Sequence, residues 1–222
     1  MIASVGLHRA PNAPRHKRLI VAGGRESHFR PGATMRHMSN SGGSVLVICY
    51  GNLCRSPMAE GLLRARLGEA WEIESAGTHA YGGDAPSGPG VEAIQREHNI
   101  DISRQRSAPL TVSGMQAADH VLTMSIQQAN IAASLGGNPG QVRLLGSFVP
   151  DTSENGSADP GGAQASPLEV VDPMGGSYEE YRKCLDRLHA CVDGFAKWVE
   201  AGADPSDGPP PVASPGWRLQ VG

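Results

Sequence analysis

Apolar residues along this chain recur in two alternating patterns. Ser44 to Cys49 (SVLVIC) is a short, nearly unbroken apolar run, the pattern of a strand covered on both faces of a parallel sheet. It breaks at Tyr50-Gly51-Asn52. Ser56 followed by Pro57 then predicts a helix with the serine as N-cap and the proline at its first position, running amphipathically to about Leu67. The alternation continues: strand at Trp71 to Gly77, helix at Pro89 to His98, strand at His120 to Met124, helix from about Ser125 to Leu135, strand at Val142 to Leu145. Ser177 with Glu180 three residues later predicts a capping box for a long last helix. On that helix Tyr181, Cys184, Leu185, Leu188, Cys191, Val192, Phe195 and Trp198 recur at helical spacing, one stripe to be buried. Strands alternating with helices predict an open, mostly parallel α/β sheet with right-handed crossovers.

The ends of the chain follow neither pattern. Residues 1–43 finish in Ser39-Asn40-Ser41-Gly42-Gly43 and read as a disordered leader, a transit peptide or a start codon called too early, with Met35 or Met38 as later starts. Residues 201–222, with Pro209 to Pro211, read as a disordered Pro/Gly-rich tail, so one domain is expected over 44–200. Gly146 to Gly176 is long for a connection. Its middle, about 151–168, is rich in Gly, Ser, Asp and Pro and reads as an insert, and its end, Val170-Val171-Asp172-Pro173, as a functional segment.

Composition adds exclusions. A net charge of -3 and a pI near 6.2 supply no bulk positive field for nucleic acid. No stretch reaches the roughly 20 apolar residues of a membrane span. Four cysteines, at 49, 54, 184 and 191, are too few and too uneven for a secreted disulfide scaffold, so a reducing, cytoplasmic setting is expected. The eight histidines show no ligand spacing, and no metal is expected. Cys184 and Cys191 lie seven apart on one helix, about 10.5 Å along its axis, beyond disulfide reach, and read as core.

In open α/β sheets ligands bind beyond the carboxyl ends of the strands, and Cys49 ends the first one. The loop from Cys49 through Tyr50, Gly51, Asn52, Leu53, Cys54 and Arg55 to Ser56 runs into a helix start, where unpaired N–H groups and the helix dipole favour an anion. Gly51 and Asn52 tolerate left-handed backbone, which lets N–H groups converge on a phosphate-sized cradle. The same field favours the thiolate form of Cys49, a nucleophile at the bottom of the cradle. Arg55, six residues on, offers a planar fork for two phosphoryl oxygens, and the Ser56 hydroxyl can donate to the thiolate. A Cys and an Arg at this spacing recur by chance in many chains. The strand before, the Gly-Asn inside and the Ser-Pro after make the signal specific. A carboxyl group near the pocket must protonate the leaving oxygen, and Asp172 suits this better than Asp159 or Asp151, which lie in the insert.

The segment VICYGNLCRSPMAEGLL resembles the phosphate loop of the low-molecular-weight protein tyrosine phosphatase family, and the resemblance extends over about residues 44–200. Glu74-Ser75-Ala76-Gly77-Thr78 and Asp172-Pro173 are further matches. The resemblance implies an open four-stranded parallel sheet with helices on both faces and the phosphate loop after the first strand. It also implies a two-step reaction through a cysteinyl-phosphate, phosphorylated protein substrates, no cofactor, and a monomer or weak dimer. By the same resemblance Ser75 supports Asn52, Tyr81 lines the pocket wall, and Cys54 is a second loop cysteine able to pair reversibly with Cys49. Arg104 and Gln105 fall near where many relatives carry a histidine supporting the loop.

Met174-Gly175-Gly176-Ser177 resembles bacterial relatives, including protein arginine phosphatases, which carry threonine at the position of Leu53. A larger apolar residue there crowds a phosphoguanidinium and suits a phenyl ring, so phosphotyrosine is expected ahead of phosphoarginine. Arsenate reduction on this fold needs two further mid-domain cysteines, and residues 55–183 contain none.

Overall fold

The computed structural model describes residues 42–137, 140–149, 166 and 168–202; nearly all of the leader, the tail and most of the insert lie outside these. Strand β1 (Ser44–Cys49) leads through the loop into helix α1 (Arg55–Leu67), followed by β2 (Glu72–Gly77), α2 (Gly88–His98) and α3 (Val112–Ala117). Then come β3 (His120–Thr123), α4 (Ile126–Ser134), β4 (Val142–Leu144), a 3-10 turn at Leu145–Phe148, and α5 (Tyr178–Glu200). The sheet is four-stranded and parallel, as the pattern of strands and helices predicts, and its order is β2-β1-β3-β4. The chain steps from β1 to one side for β2 and to the other for β3, so the carboxyl end of β1 is the switch point of the sheet.

Side-chain parity along β1 decides what Cys49 faces. Val45, Val47 and Cys49 point to one layer, with Met58, Leu62 and Leu63 of α1, Ile94 of α2 and the apolar stripe of α5. Leu46 and Ile48 point to the other, with Met115 of α3 and Ala129 and Ala132 of α4. Burying each such Leu, Ile or Met stabilises the fold by about 1.5–3 kcal/mol. The α5 stripe is buried as expected, apart from a partly buried Trp198, and the Ser177–Glu180 capping box is formed. Cys184 and Cys191 are free and buried, and burial pushes both thiols up, Cys191 to about 11.

Helix α1 departs from expectation twice. It starts at Arg55, with Cys54 in the cap position and no side-chain cap, because the Ser56 hydroxyl is engaged by the loop instead. Nor is it amphipathic at its start: Arg55 through Leu63 are all buried between the sheet, α2 and α5. Gly61 is part of this closeness, since a Cβ there would stand 2.9 Å from Ile102 Cγ2. Two short elements escape periodicity altogether. Helix α3 has six residues, with Thr111 Oγ1 accepting from Gly114 N–H at 3.0 Å, and the 3-10 turn has four.

Candidate active site

The carboxyl end of β1 delivers Cys49, 2% exposed, to the floor of a pocket of about 330 Å³. Two donors converge on its sulfur: the Ser56 hydroxyl at 3.0 Å and the Asn52 N–H at 3.2 Å. Charge on the sulfur is therefore met by fixed dipoles.

Asn52 adopts the left-handed conformation (φ 55°) and every polar group of its side chain is engaged. Its amide nitrogen donates to Ser56 Oγ (2.9 Å) and Ser75 Oγ (2.8 Å), and its oxygen accepts from the Ala108 N–H (2.8 Å). Ser75 in turn donates to Glu60 Oε2 at 2.7 Å, while Glu60 Oε1 accepts from Arg64 Nε at 3.0 Å. A buried network pins the loop to α1 and β2 at once. Beyond β2 the backbone stays beside the loop, with Thr78 N–H donating to the Cys49 carbonyl (3.0 Å) and His79 N–H to that of Tyr50 (2.8 Å). Gly77 permits this approach, because a Cβ there would stand 2.8 Å from the Tyr50 oxygen.

Arg55 is 6% exposed; its Nη1 donates to the Val170 carbonyl at 3.1 Å, and its Nη2 is paired with an Asp172 carboxylate oxygen. Its Nε is buried with no hydrogen-bond partner among the described residues, a donor suited to an anion oxygen. The other Asp172 oxygen accepts from the Met174 N–H at 3.2 Å. Cys54 is buried, its sulfur 3.3 Å from Tyr181 Oη and 3.9 Å from Met174 Sδ. Burial pushes the Cys54 thiol up, against a lowering by Ser87 and Tyr181, and burial with the Cys54 contact pushes Tyr181 up to about 12.

The sequence-derived residues thus gather in one place. Cys49, Tyr50, Gly51, Leu53, Cys54, Tyr81 and Asp172 line the pocket. Asn52, Ser56 and Ser75 lie behind its wall in the hydrogen-bond network. Tyr81 is among the lining residues at 99% exposure, with no ring contact to another aromatic side chain among the described residues. Gln105 is partly buried and is not a member of the Asn52 network, whose place of support is taken by Glu60 and the Ala108 N–H. Sequence reasoning missed Glu60, His79, Asp84 and Met174. Only Glu60 had a local signal, a carboxylate set between Met58-Ala59 and Gly61-Leu62-Leu63 and four residues before Arg64. Among the described residues there is no cluster of three or more His, Cys, Asp or Glu able to hold a metal.

A buried cysteine at the switch point of a parallel sheet, beneath a loop that runs into a helix, fits the phosphate loop that the sequence resembles. Residues 44–204 match the model of the low molecular weight phosphotyrosine protein phosphatase family, and the chain belongs to that family, for which a cysteine-based mechanism is general. It is 30% identical over 159 residues to the probable low molecular weight protein-tyrosine-phosphatase EpsP of Ralstonia nicotianae, covering 71% of this chain and 97% of that one. Over 160 residues it is 34% identical to the protein-arginine-phosphatase of Bacillus subtilis, covering 70% of this chain and 96% of the relative. The crystal structure of a low molecular weight protein tyrosine phosphatase from T. tengcongensis is similar at 32% identity and a TM-score of 0.58, covering 69% of this chain and 97% of that one.

Proposed function

We propose that this chain hydrolyses phosphotyrosine in proteins through a cysteinyl-phosphate on Cys49. The observation that carries the proposal is the convergence of the Ser56 hydroxyl and the Asn52 N–H on the Cys49 sulfur, under a pocket lined by Asp172, whose carboxylate is paired with the buried Arg55 guanidinium. In the first step Arg55 exchanges Asp172 for two phosphoryl oxygens and the Cys49 thiolate attacks phosphorus. Released from the ion pair, Asp172 takes a proton from solvent; the phosphorus–oxygen bond to tyrosine then breaks, and Asp172 passes that proton to the departing oxygen. In the second step Asp172 takes a proton from water, which attacks phosphorus. The phosphorus–sulfur bond then breaks, and Ser56 and Asn52 stabilise the thiolate that leaves. Phosphate is released and the enzyme is restored. Four free, buried cysteines fit a reducing compartment such as the cytoplasm.

For the substrate, Leu53 and the half-exposed ring of Tyr50 give the pocket apolar walls suited to a phenyl group. Phosphoarginine is the second reading. Asp84 at the pocket lining supports it as a carboxylate partner for a guanidinium, as does the similarity to the Bacillus subtilis relative. Parallel kinetics on phosphotyrosine and phosphoarginine peptides test the choice. The expected result is a higher kcat/KM on phosphotyrosine, with Leu53→Thr shifting the ratio toward phosphoarginine by about tenfold or more. A wild type that prefers phosphoarginine overturns the first reading in favour of the second.

A further inference from the structure

Tyr50 directly follows the nucleophile, lines the pocket and is 52% exposed. An exposed loop tyrosine ordinarily samples several rotamers. Here its ring lies flat on the His79 imidazole, centroids 4.2 Å apart and planes 11° from parallel. The backbones are joined as well, by the 2.8 Å bond from the His79 N–H to the Tyr50 carbonyl, and His79 Nδ1 lies 2.9 Å from Thr78 Oγ1. The end of β2 therefore holds the imidazole, and the imidazole holds the ring. Tyr81 also lines the pocket but has no aromatic partner among the described residues, whereas the Tyr50 ring has one in His79.

We infer that the Tyr50–His79 stack is the wall against which the ring of an aryl phosphate packs, and that His79 is a positioning residue acting through Tyr50. The choice of substrate rests on the phosphotyrosine reading above. A wall already held in its bound orientation loses little side-chain freedom when the ring arrives, so the stack lowers KM for aryl substrates. It leaves the cradle under the phosphate untouched, because the His79 side chain takes no part in the Asn52, Ser75 and Glu60 network.

The test compares wild type, Tyr50→Ala, His79→Ala, His79→Phe and the double alanine variant on a phosphotyrosine peptide, with orthovanadate inhibition as a probe of the cradle alone. His79→Ala is expected to raise KM by about fivefold while kcat changes by less than about twofold. The vanadate inhibition constant should stay within about twofold, and His79→Phe, which keeps a flat ring, should restore KM. The double variant should be no worse than Tyr50→Ala, since His79 acts through that ring. An unchanged KM in His79→Ala, an equal weakening of vanadate, a failure of phenylalanine to rescue, or additive losses in the double variant each overturn the inference. A variant that had lost its fold would weaken vanadate with KM and so count against it. The peptide preference of wild type decides the phosphotyrosine reading separately, because the platform is judged only by how KM changes between variants on one aryl substrate.

Discussion

Cys49 and Asp172 face one pocket from supports of different kinds. Cys49 ends a strand buried on both sides, and its loop is bonded to α1, to β2 and to the Ala108 N–H. Asp172 sits on the segment that follows the insert, its side chain 41% exposed, held by the Arg55 guanidinium and the Met174 N–H. On the proposed mechanism that difference is functional. The nucleophile has one task at one point, whereas the acid must give up Arg55 to the phosphate and then serve two steps. Rigid placement suits the first role and an openable ion pair suits the second.

The comparison can be broken most severely at the sulfur. Cys49→Ser is expected to lower kcat by more than about 10³-fold with the fold intact by circular dichroism, because a serine at this site is scarcely ionised. Residual activity within about tenfold of wild type would remove the cysteine from the mechanism. Next is the acid. Asp172→Ala is expected to slow hydrolysis of poor leaving groups by roughly 10²–10³-fold and of good ones far less, since only the former need the proton. Should Asp159→Ala give that pattern instead, the acid belongs to the insert, outside the described residues.

A smaller loss is expected from the rigid side itself. Asn52→Ala removes two donors and an acceptor from a buried network and leaves alanine in a left-handed backbone. Stability should fall by about 2–3 kcal/mol in urea unfolding, and kcat by about tenfold. Full stability in this variant would mean that the loop is not held by the bonds described. The smallest effect lies outside the pocket lining, where the His98 ring of α2 meets that of His189 of α5 at a 44° tilt, ring centroids 4.7 Å apart. Burial, then the neighbouring His189, holds His98 below its ordinary value of 6.5, with Asp186, Glu97 and Asp193 opposing. The folded state therefore binds fewer protons than the unfolded one in mild acid, so this contribution is present above about pH 6.5 and is lost as pH falls. Solvent screening limits it to about a few tenths of a kcal/mol. His98→Gln should slightly narrow the gap between Tm at neutral and mildly acid pH, and an unchanged gap would show that the pair is inert.

The difference between the two supports also governs what could be read from sequence. The strand, loop and first helix were legible because their signals are contiguous: an apolar run, Gly-Asn, then Ser-Pro. The place of Asp172 at the pocket was legible from its position after two valines and before a capped helix. What stayed hidden depends on distant register. His79 meets Tyr50 because Cys49 pairs with Gly77 across β1 and β2, and nothing local to His79 announces that. Glu60 reads as a solvated helix carboxylate until Ser75 is brought against it. Ser56 has the composition of a cap, yet a nearby thiol and an asparagine compete successfully for its hydroxyl. The exposed Tyr81 precedes Gly82 and Gly83, both with positive φ, where side-chain direction is not set by a repeating pattern.

Gly77 has a consequence for anyone who reads this protein through a saturation scan. It carries no reactive group and touches no substrate, yet a side chain there would meet the Tyr50 oxygen, the Gly51 carbonyl carbon and the Ala80 Cβ, each at 2.8 Å. Backbone cannot give way as a flexible side chain can, so the loop would be pushed from behind. In a map of tolerated substitutions residue 77 would score like the nucleophile itself. Gly88, with nothing within 4 Å of its added Cβ, would accept change. Intolerance in such a map marks the positions that shape the cradle as well as those that react.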